Sequence, residues 1–303
     1  MPSIDQNKLS WLSFFRVGIA AVCLFNFLSL QLDFKLLFYK EAYSVPEISH
    51  LLSNTVIPSF YDISTWMNRY TNIDYNTILL VFRIIYPLSL VALLIGFYSR
   101  VTAILSLILF SIFVNSYNNL CYGFDTYANF SLFYCVIFPV GRFNAVSRRN
   151  TPVPTSNTNQ YLYLLRAHIG VAYFFSGFEK LLGFNWRNGE SIWKALHSIN
   201  YTENINLDFL ANTPFFTIIG WLTIILEMFY PVFMNFKQTR KIWLIGIIGL
   251  HVSIAVLMGL HFFSAILIII NLTCYYIPYL KEDKGKFEFF KFSFRRKLQR
   301  QPI

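Results

Sequence analysis

The segment YFFSGFEKLLGFNW, residues 173–186, carries a glutamate and a lysine at the end of an otherwise apolar run. A charge within a membrane helix is costly, so it usually marks a pathway or a reactive site. Lys180 is the first candidate for chemistry, because an amine that has released its proton can act as a general base. The alternative is that Lys180 lies near a helix end and extends its amine to the headgroups. Glu179 points about 100° away around the helix, so the two neighbours need not form an ion pair.

Further polar side chains fall in the outer half of the predicted spans, at depths similar to that of Lys180. We expect Asp125, Lys180 and His251 to be catalytic and to line one cavity that opens outward. Candidate substrate-binding residues near this cavity are Arg83, Tyr173, Gly177, Trp186 and His261.

Three charged residues fall nearer the other side of the membrane. Arg16, Arg166 and Glu227 are predicted at similar depths, where opposite charges most often neutralise one another and fix helix packing. We therefore predict a structural ion pair among these three side chains.

A stripe of residues follows one face of the helix that carries Lys180. The spacings are four, three, four and three for Arg166, Gly170, Tyr173, Gly177 and Lys180. The two glycines would let another helix or a flat ligand approach the backbone closely.

The composition indicates the class of protein that must position these side chains. Of 303 residues 55% are hydrophobic and 13% are charged, and mean hydropathy is +0.48. Soluble domains are about 25% charged, so the sequence predicts an all-α polytopic membrane protein. About eight transmembrane helices are expected, at 11–32, 75–98, 101–117, 124–141, 160–183, 213–235, 241–258 and 261–280. We see one transmembrane domain, 11–280, between a short N-terminus, 1–10, and a basic tail, 281–303.

The distribution of basic residues predicts the orientation. With the N-terminus in the cytoplasm, most lysines and arginines fall in inward segments and in the tail. The outward segments hold only Lys35, Lys40, Arg69, Arg187 and Lys194. By the positive-inside rule both termini are cytoplasmic.

Two outward loops are long, 33–74 and 184–212, and each is predicted to contain a short interfacial helix. Trp66, Trp186 and Trp193 would anchor these helices at the membrane surface. The basic, aromatic tail is read either as an anionic-lipid contact or as a solvated end. The lipid bilayer is thus the first expected partner. Nucleic acid is not expected, because the charges are not gathered on a soluble module.

The four cysteines are Cys23, Cys121, Cys135 and Cys274, and they form no CxxC pair and no metal-ligand spacing. Three of them lie inside predicted helices, where a cysteine is usually a small buried apolar residue. The sequence therefore predicts neither a disulfide framework nor a metal site.

Several segments, in order, resemble the HTTM membrane domain of the vitamin K-dependent gamma-carboxylase family. They are FFRVGIAAVCLFNF, LLIGFYSRVTAIL, NNLCYGFDTYANFSLFYCVIFPVG, YFFSGFEKLLGFNW, WLTIILEMFYPVF and GIIGLHVSIAVLMGLHFF. The resemblance covers about residues 11–280.

The resemblance implies an activity, a cofactor and roles for individual residues. In the carboxylases a lysine deprotonates a reduced quinone, whose oxygenation gives a base strong enough to start glutamate carboxylation. Lys180 matches that lysine, and His251 matches a polar histidine of the later helix. Asp125 stands where the carboxylases have a histidine. The expected cofactor is thus a reduced, vitamin K-like quinone.

The resemblance also leaves a second function open. In the carboxylases a large soluble domain follows the membrane part, whereas this sequence ends at Ile303, so we expect a short form. Short bacterial proteins with this membrane domain include the B component of the sporulation-delaying toxin maturation system. The alternatives are therefore an outer-face enzyme acting on a quinone, lipid or peptide, and a non-enzymatic component that matures, exports or resists a small secreted peptide. This resemblance places the protein in a bacterial cell membrane.

Overall fold

The computed structural model describes residues 11–39, 56–117, 120–142, 144–147, 155–197, 208–210 and 213–280, with the single positions Pro46 and Leu51. These residues form α-helices joined by turns and short 3-10 segments, and none of them is in a strand. The all-α class is therefore as predicted.

The helices are numbered here in chain order. The first six are α1 (Trp11–Ser29), α2 (Phe34–Phe38), α3 (Phe60–Asn68), α4 (Tyr75–Ile95), α5 (Ser99–Ser116) and α6 (Gly123–Ile137). The next seven are α7 (Thr155–Leu182), α8 (Phe184–Arg187), α9 (Glu190–Leu196), α10 (Phe215–Met228), α11 (Tyr230–Phe233), α12 (Arg240–Met258) and α13 (His261–Tyr275).

Five helical stretches within the described residues are long and apolar enough to cross a membrane. They are α1, α4, α5, α12 and the stretch from His261 to Tyr279. The other predicted spans also contain helices, but α6 has 15 residues and α10 has 14. At 1.5 Å per residue a helix of that length covers about 21–23 Å, less than the roughly 30 Å hydrocarbon core.

Local sequence signals set several helix boundaries. Asp74 accepts a hydrogen bond from the backbone N–H of Thr77 and so caps α4. Gly96 ends α4 with a φ of 80°, and Gly259 ends α12 with a φ of 68°. A residue with a side chain rarely adopts this left-handed conformation, so both glycines fix where the chain turns.

An aromatic core holds the N-terminal helices together. Phe27 of α1 contacts Phe82 and Tyr86 of α4 edge to face, with ring centroids 5.8 and 5.1 Å apart. Phe113 of α5 stacks on Phe82 at 5.3 Å, and Phe38 of α2 stacks on Phe113 at 5.1 Å. Such pairs add about 0.5–1.5 kcal/mol each beyond their buried area. This core positions α1, which also packs on α13.

The C-terminal helices assemble around α7. This helix packs on α10 and α11, while α12 packs on α13. Both predicted outward loops contain short helices, α2 and α3 in the first and α8 and α9 in the second. Helices α8 and α9 pack on α10, so the second loop lies next to the Lys180 end of α7.

Candidate functional site: a cavity beside Lys180

A cavity of about 310 Å³ is lined by residues of α6, α7, α8, α9, α10, α12 and α13. Its walls are mainly aliphatic and aromatic side chains, with polar groups contributed by α6, α7, α10 and α12. The ionisable side chains at the cavity are Lys180, Glu227, His251 and Tyr173 with Tyr127. An apolar cavity with a few convergent polar groups is the usual form of a small-molecule site.

The ammonium group of Lys180 forms an ion pair with Glu227. The distance from Lys180 Nζ to Glu227 Oε2 is 2.6 Å, and both side chains are largely buried. Lys180 Nζ also donates a 2.6 Å hydrogen bond to Ser176 Oγ and lies 5.0 Å from the ring centroid of Trp186. Lys180 is therefore directed into the protein and does not extend to the headgroups.

Gly177 allows this pair to form. A Cβ atom at position 177 would lie 2.4 Å from the backbone nitrogen of Met228, so only glycine fits at this crossing of α7 and α10. Glu227 precedes Met228, and Lys180 follows Gly177 by one turn on the same face. The close contact between the α7 and α10 backbones places the Glu227 carboxylate next to the Lys180 amine.

The predicted stripe on α7 faces α10 and α11. Tyr173 stacks on Tyr230 of α11 with ring centroids 4.2 Å apart, and Gly170 faces Pro231. Of the two neighbours expected for the glycines, another helix or a flat ligand, helices α10 and α11 lie against Gly177 and Gly170. Gly177, predicted to bind substrate, is instead part of this packing face.

A hydrogen-bond chain leads to His251 and supports one assignment of its ring proton. The Asn271 amide nitrogen donates to the Leu267 carbonyl and to the Tyr173 hydroxyl, both at 2.9 Å, and its oxygen accepts from Tyr230 at 2.7 Å. Tyr173 Oη and His251 Nε2 are hydrogen-bonded at 2.5 Å, and we assign Tyr173 as the donor because its oxygen already accepts from Asn271. Since Nε2 accepts, neutral His251 carries its proton on Nδ1.

The Nδ1–H group of His251 is a donor without a partner. The side chain is 3% exposed, and Nδ1 has no hydrogen-bond partner within the described part of the chain. An unpaired buried donor costs about 1–3 kcal/mol, so such a group is uncommon outside functional sites. The structure therefore has a buried N–H at the cavity that a ligand oxygen could accept from.

Several predicted site residues do not lie at this cavity. Asp125 caps α6, accepting hydrogen bonds from Tyr117 Oη at 2.6 Å and from the Tyr122 backbone at 2.9 Å. Arg83 donates to the Gln31 side chain and covers the Phe34 ring on the N-terminal side of the bundle. His261 begins α13 and is exposed. None of these three lines the cavity, so the expected grouping with Asp125 is wrong.

The predicted ion pair among Arg16, Arg166 and Glu227 is also wrong. Glu227 binds Lys180, while Arg166 donates two hydrogen bonds to the Cys274 carbonyl at 2.6 and 2.9 Å. Arg16 donates to the Val140 carbonyl at 3.0 Å. Backbone carbonyls at helix ends satisfy these guanidinium groups, because the last carbonyls of a helix have no partner within it.

Sequence reasoning missed Glu227, Ser176 and Asn271 as members of this polar cluster. The spacing of Ser176 and Lys180, one helical turn, was a usable signal for their contact. Glu227 was misplaced because counting residues along a span gives depth only when spans are straight and of full length, and α10 ends at Met228. Asn271 gave no signal, since its side-chain partners, Tyr173 and Tyr230, lie on other helices.

The comparison with protein families gives one match. The HTTM domain matches residues 10–278, which is most of the chain and includes every residue of the cavity. No curated protein and no solved structure matches this chain. The family assignment agrees with the apolar helices, which fit a lipid bilayer. This chain therefore belongs to the HTTM domain family and is an integral membrane protein.

Proposed function

We propose that the protein is a membrane enzyme that binds a flat, apolar ligand with a polar oxygen, such as a reduced quinone, beside Lys180. The observation that carries the proposal is the apolar cavity, with the Lys180–Glu227 pair and the unpaired Nδ1–H of His251 at its polar end. A ligand that is polar at one end and apolar elsewhere complements such a site.

The described residues fit a quinone in size and in chemistry. A volume of about 310 Å³ lies within the usual range for small-molecule sites, roughly 300–1,000 Å³. Trp186, Phe263 and Leu257 would contact the ring, and His251 Nδ1–H would donate to a ring oxygen. A reduced quinone supplies an acidic hydroxyl group, whose deprotonation starts its oxidation.

The Lys180–Glu227 pair would receive that proton. As an ammonium group Lys180 is not a base, but the carboxylate of Glu227 lies 2.6 Å away and can accept its proton. The free amine can then take a proton from the ligand. The hydrogen bond from Lys180 to Ser176 holds the amine in place during this exchange. The carboxylation of a peptide glutamate would be a further step, and we propose it only as what the HTTM resemblance implies.

The proposed orientation follows the distribution of basic residues. We infer eight spans with both termini in the cytoplasm of a bacterial cell, including the shorter helices α6 and α10 and the long α7. In this orientation the cavity and helices α8 and α9 lie toward the outer face, where α8 and α9 would rest in the membrane interface.

The substitution Lys180→Arg tests the proposed base. Arginine keeps the positive charge and can pair with Glu227, but a guanidinium group effectively never releases its proton. We expect wild-type folding and quinone binding but a loss of quinol oxidation by about 10²–10⁴-fold, the usual contribution of a general base. Oxygen consumption by purified protein supplied with a reduced naphthoquinone measures the rate. Quenching of Trp186 fluorescence, with Trp186→Phe as the blank, measures binding.

Lys194→Arg is the matched control, because Lys194 also pairs with a glutamate, Glu190 at 2.6 Å, but is exposed. It should leave rate and binding unchanged. Equal rates for wild type and Lys180→Arg would contradict the proposal. Binding without any quinol oxidation by the wild type would also contradict it, and would leave the non-enzymatic role in maturation, export or resistance of a small peptide as the remaining reading.

A further inference from the structure

A second cavity, of about 480 Å³, lies at another part of the bundle. It is enclosed by the start of α5, the end of α6, the following residues 138–142 with Ser147, and Tyr161 of α7. It shares no lining residue with the cavity at Lys180. In the proposed orientation it faces the cytoplasmic leaflet, so its occupant need not be a ligand of the first site.

The polar lining of this second cavity favours an anion. Arg100 and Arg142 both line it, and no acidic side chain does so within the described residues. The cavity also borders the first turn of the 18-residue α5, where the N–H groups of Ser99 and Arg100 precede the first bonds to the Tyr98 carbonyl and the helix dipole favours negative charge. The arginine side chains and the N-terminal end of the helix therefore both attract negative charge.

Ser99 supplies an independent indication of a ligand. It is the first residue of α5, lines the cavity and is 5% exposed, yet its hydroxyl has no hydrogen-bond partner among the described residues. A buried hydroxyl without a partner is unfavourable unless a ligand completes it. Tyr98, just before Ser99, has a φ of 41°, a strained backbone conformation for a residue with a side chain.

Two hydrogen bonds and one close contact hold the cavity walls in place. Arg16 donates to the Val140 carbonyl at 3.0 Å, and the Ser147 backbone donates to the Gly96 carbonyl at 3.3 Å. A Cβ atom on Gly141 would lie 2.8 Å from Ser99 Oγ, so a glycine is needed where this loop passes the serine. The site is therefore built into the fold.

The apolar part of the lining favours a lipid over a free anion. Val101, Ile104 and Ile137 line the cavity next to the polar groups and are 63%, 41% and 39% exposed. On helices that cross a membrane, exposed aliphatic side chains of this kind contact acyl chains. A phosphate at Ser99 and Arg100 would thus have its acyl chains against α5 and α6.

We propose that this cavity binds the phosphate group of an anionic phospholipid. Arg100 pairs with the phosphate, and the Ser99 hydroxyl and the first N–H groups of α5 donate hydrogen bonds to its oxygens. Arg142 also lines the cavity. The acyl chains lie along Val101 and Ile104.

Native mass spectrometry of the full-length protein tests this proposal. Detergent-solubilised protein is titrated in parallel with dioleoylphosphatidylglycerol, with dioleoylphosphatidylcholine and with inorganic phosphate. We expect the wild type to retain phosphatidylglycerol about tenfold more than phosphatidylcholine, since charge-assisted hydrogen bonds to an anion are the stronger ones. Arg100→Gln should lower the retention of phosphatidylglycerol about tenfold, and Ser99→Ala should lower it about threefold.

Arg69→Gln is the matched control, because Arg69 is an exposed arginine at the end of α3 that does not line the cavity. All variants keep the basic tail, so a difference between Arg100→Gln and Arg69→Gln reports the cavity alone. Equal retention of the two lipids, or equal losses in these two variants, would overturn the proposal. Binding of inorganic phosphate without preference for phosphatidylglycerol would overturn the assignment to a lipid.

Discussion

Lys180 of α7 and Glu227 of α10 are separated by 47 residues in the sequence, and their charged atoms lie 2.6 Å apart in the fold. This pair joins the two helices that form one wall of the cavity. It gives the lysine both a fixed position and a neighbouring proton acceptor.

Removing one member of the pair should destabilise the protein more than removing both. Glu227→Gln leaves the Lys180 charge buried without a counter-ion, which typically costs about 3–5 kcal/mol. Lys180→Met with Glu227→Gln removes both charges and should recover most of that loss. Unfolding of the purified single and double variants in a denaturing detergent series measures the coupling free energy. Additive effects of the two substitutions would show that the pair is not coupled in the folded protein.

Gly177→Ala should separate α7 from α10. Its Cβ would lie 2.4 Å from the Met228 nitrogen, a backbone atom that cannot move without shifting α10. Overpacking of this kind costs about 1–3 kcal/mol, and we expect a lower melting temperature together with weaker ligand binding.

Gly170→Ala is the control on the same helix face. Its Cβ would lie 3.5 Å from Pro231 Cβ, an ordinary contact, and alanine is about 1 kcal/mol more favourable than glycine within a helix. It should leave the melting temperature unchanged or raise it. A similar drop in melting temperature for both variants would contradict this prediction. It would mean that any added side chain on this helix face destabilises the protein, and not only one at Gly177.

Asn271→Ala should break the hydrogen-bond chain and allow His251 to adopt a second tautomer. Asn271 is fully buried and joins Tyr173, Tyr230 and the Leu267 carbonyl, so its loss leaves two buried hydroxyl groups with fewer partners. We expect a stability loss of about 2–3 kcal/mol and a second tautomer of His251 in its ¹⁵N NMR spectrum. Thr273→Val, at a fully buried hydroxyl that bonds only its own helix at Ile269, should change neither tautomer population nor ligand binding. A His251 spectrum unchanged by Asn271→Ala would contradict the assigned tautomer.

Cysteine labelling should place the two ends of α7 on opposite sides of the membrane. Val146, before α7, is 71% exposed, and Arg187, after it, is also exposed. In a background with Cys121→Ser, where the other cysteines are buried, Val146→Cys should react only after the membrane is permeabilised. Arg187→Cys should react in intact cells. Reaction of both cysteines from the same side would contradict the proposed orientation. The sequence also predicts Asn150 and Asn200 on opposite sides of the membrane, but both positions lie outside the described residues.

The fold class and the positions of most helices follow from the amino-acid sequence. Runs of apolar residues and low charge predict membrane helices because unpaired backbone groups are not tolerated in lipid. Asp74, Gly96 and Gly259 mark helix boundaries through local conformational preferences. The spacing along α7 also showed that Tyr173, Gly177 and Lys180 share one face, because helical periodicity depends on the chain alone.

Which charges meet depends on how the helices pack. Lys180 was expected beside Asp125, and Glu227 beside Arg16 and Arg166, yet Lys180 pairs with Glu227 and Asp125 caps α6. Depth counted along the sequence cannot capture the short α10 or its approach to the α7 backbone at Gly177. The hydrogen bond at His251 Nε2 likewise depends on Tyr173 and Asn271, which lie on other helices. Helix periodicity is a property of one segment, whereas a buried ion pair or hydrogen-bond chain depends on how separate segments cross.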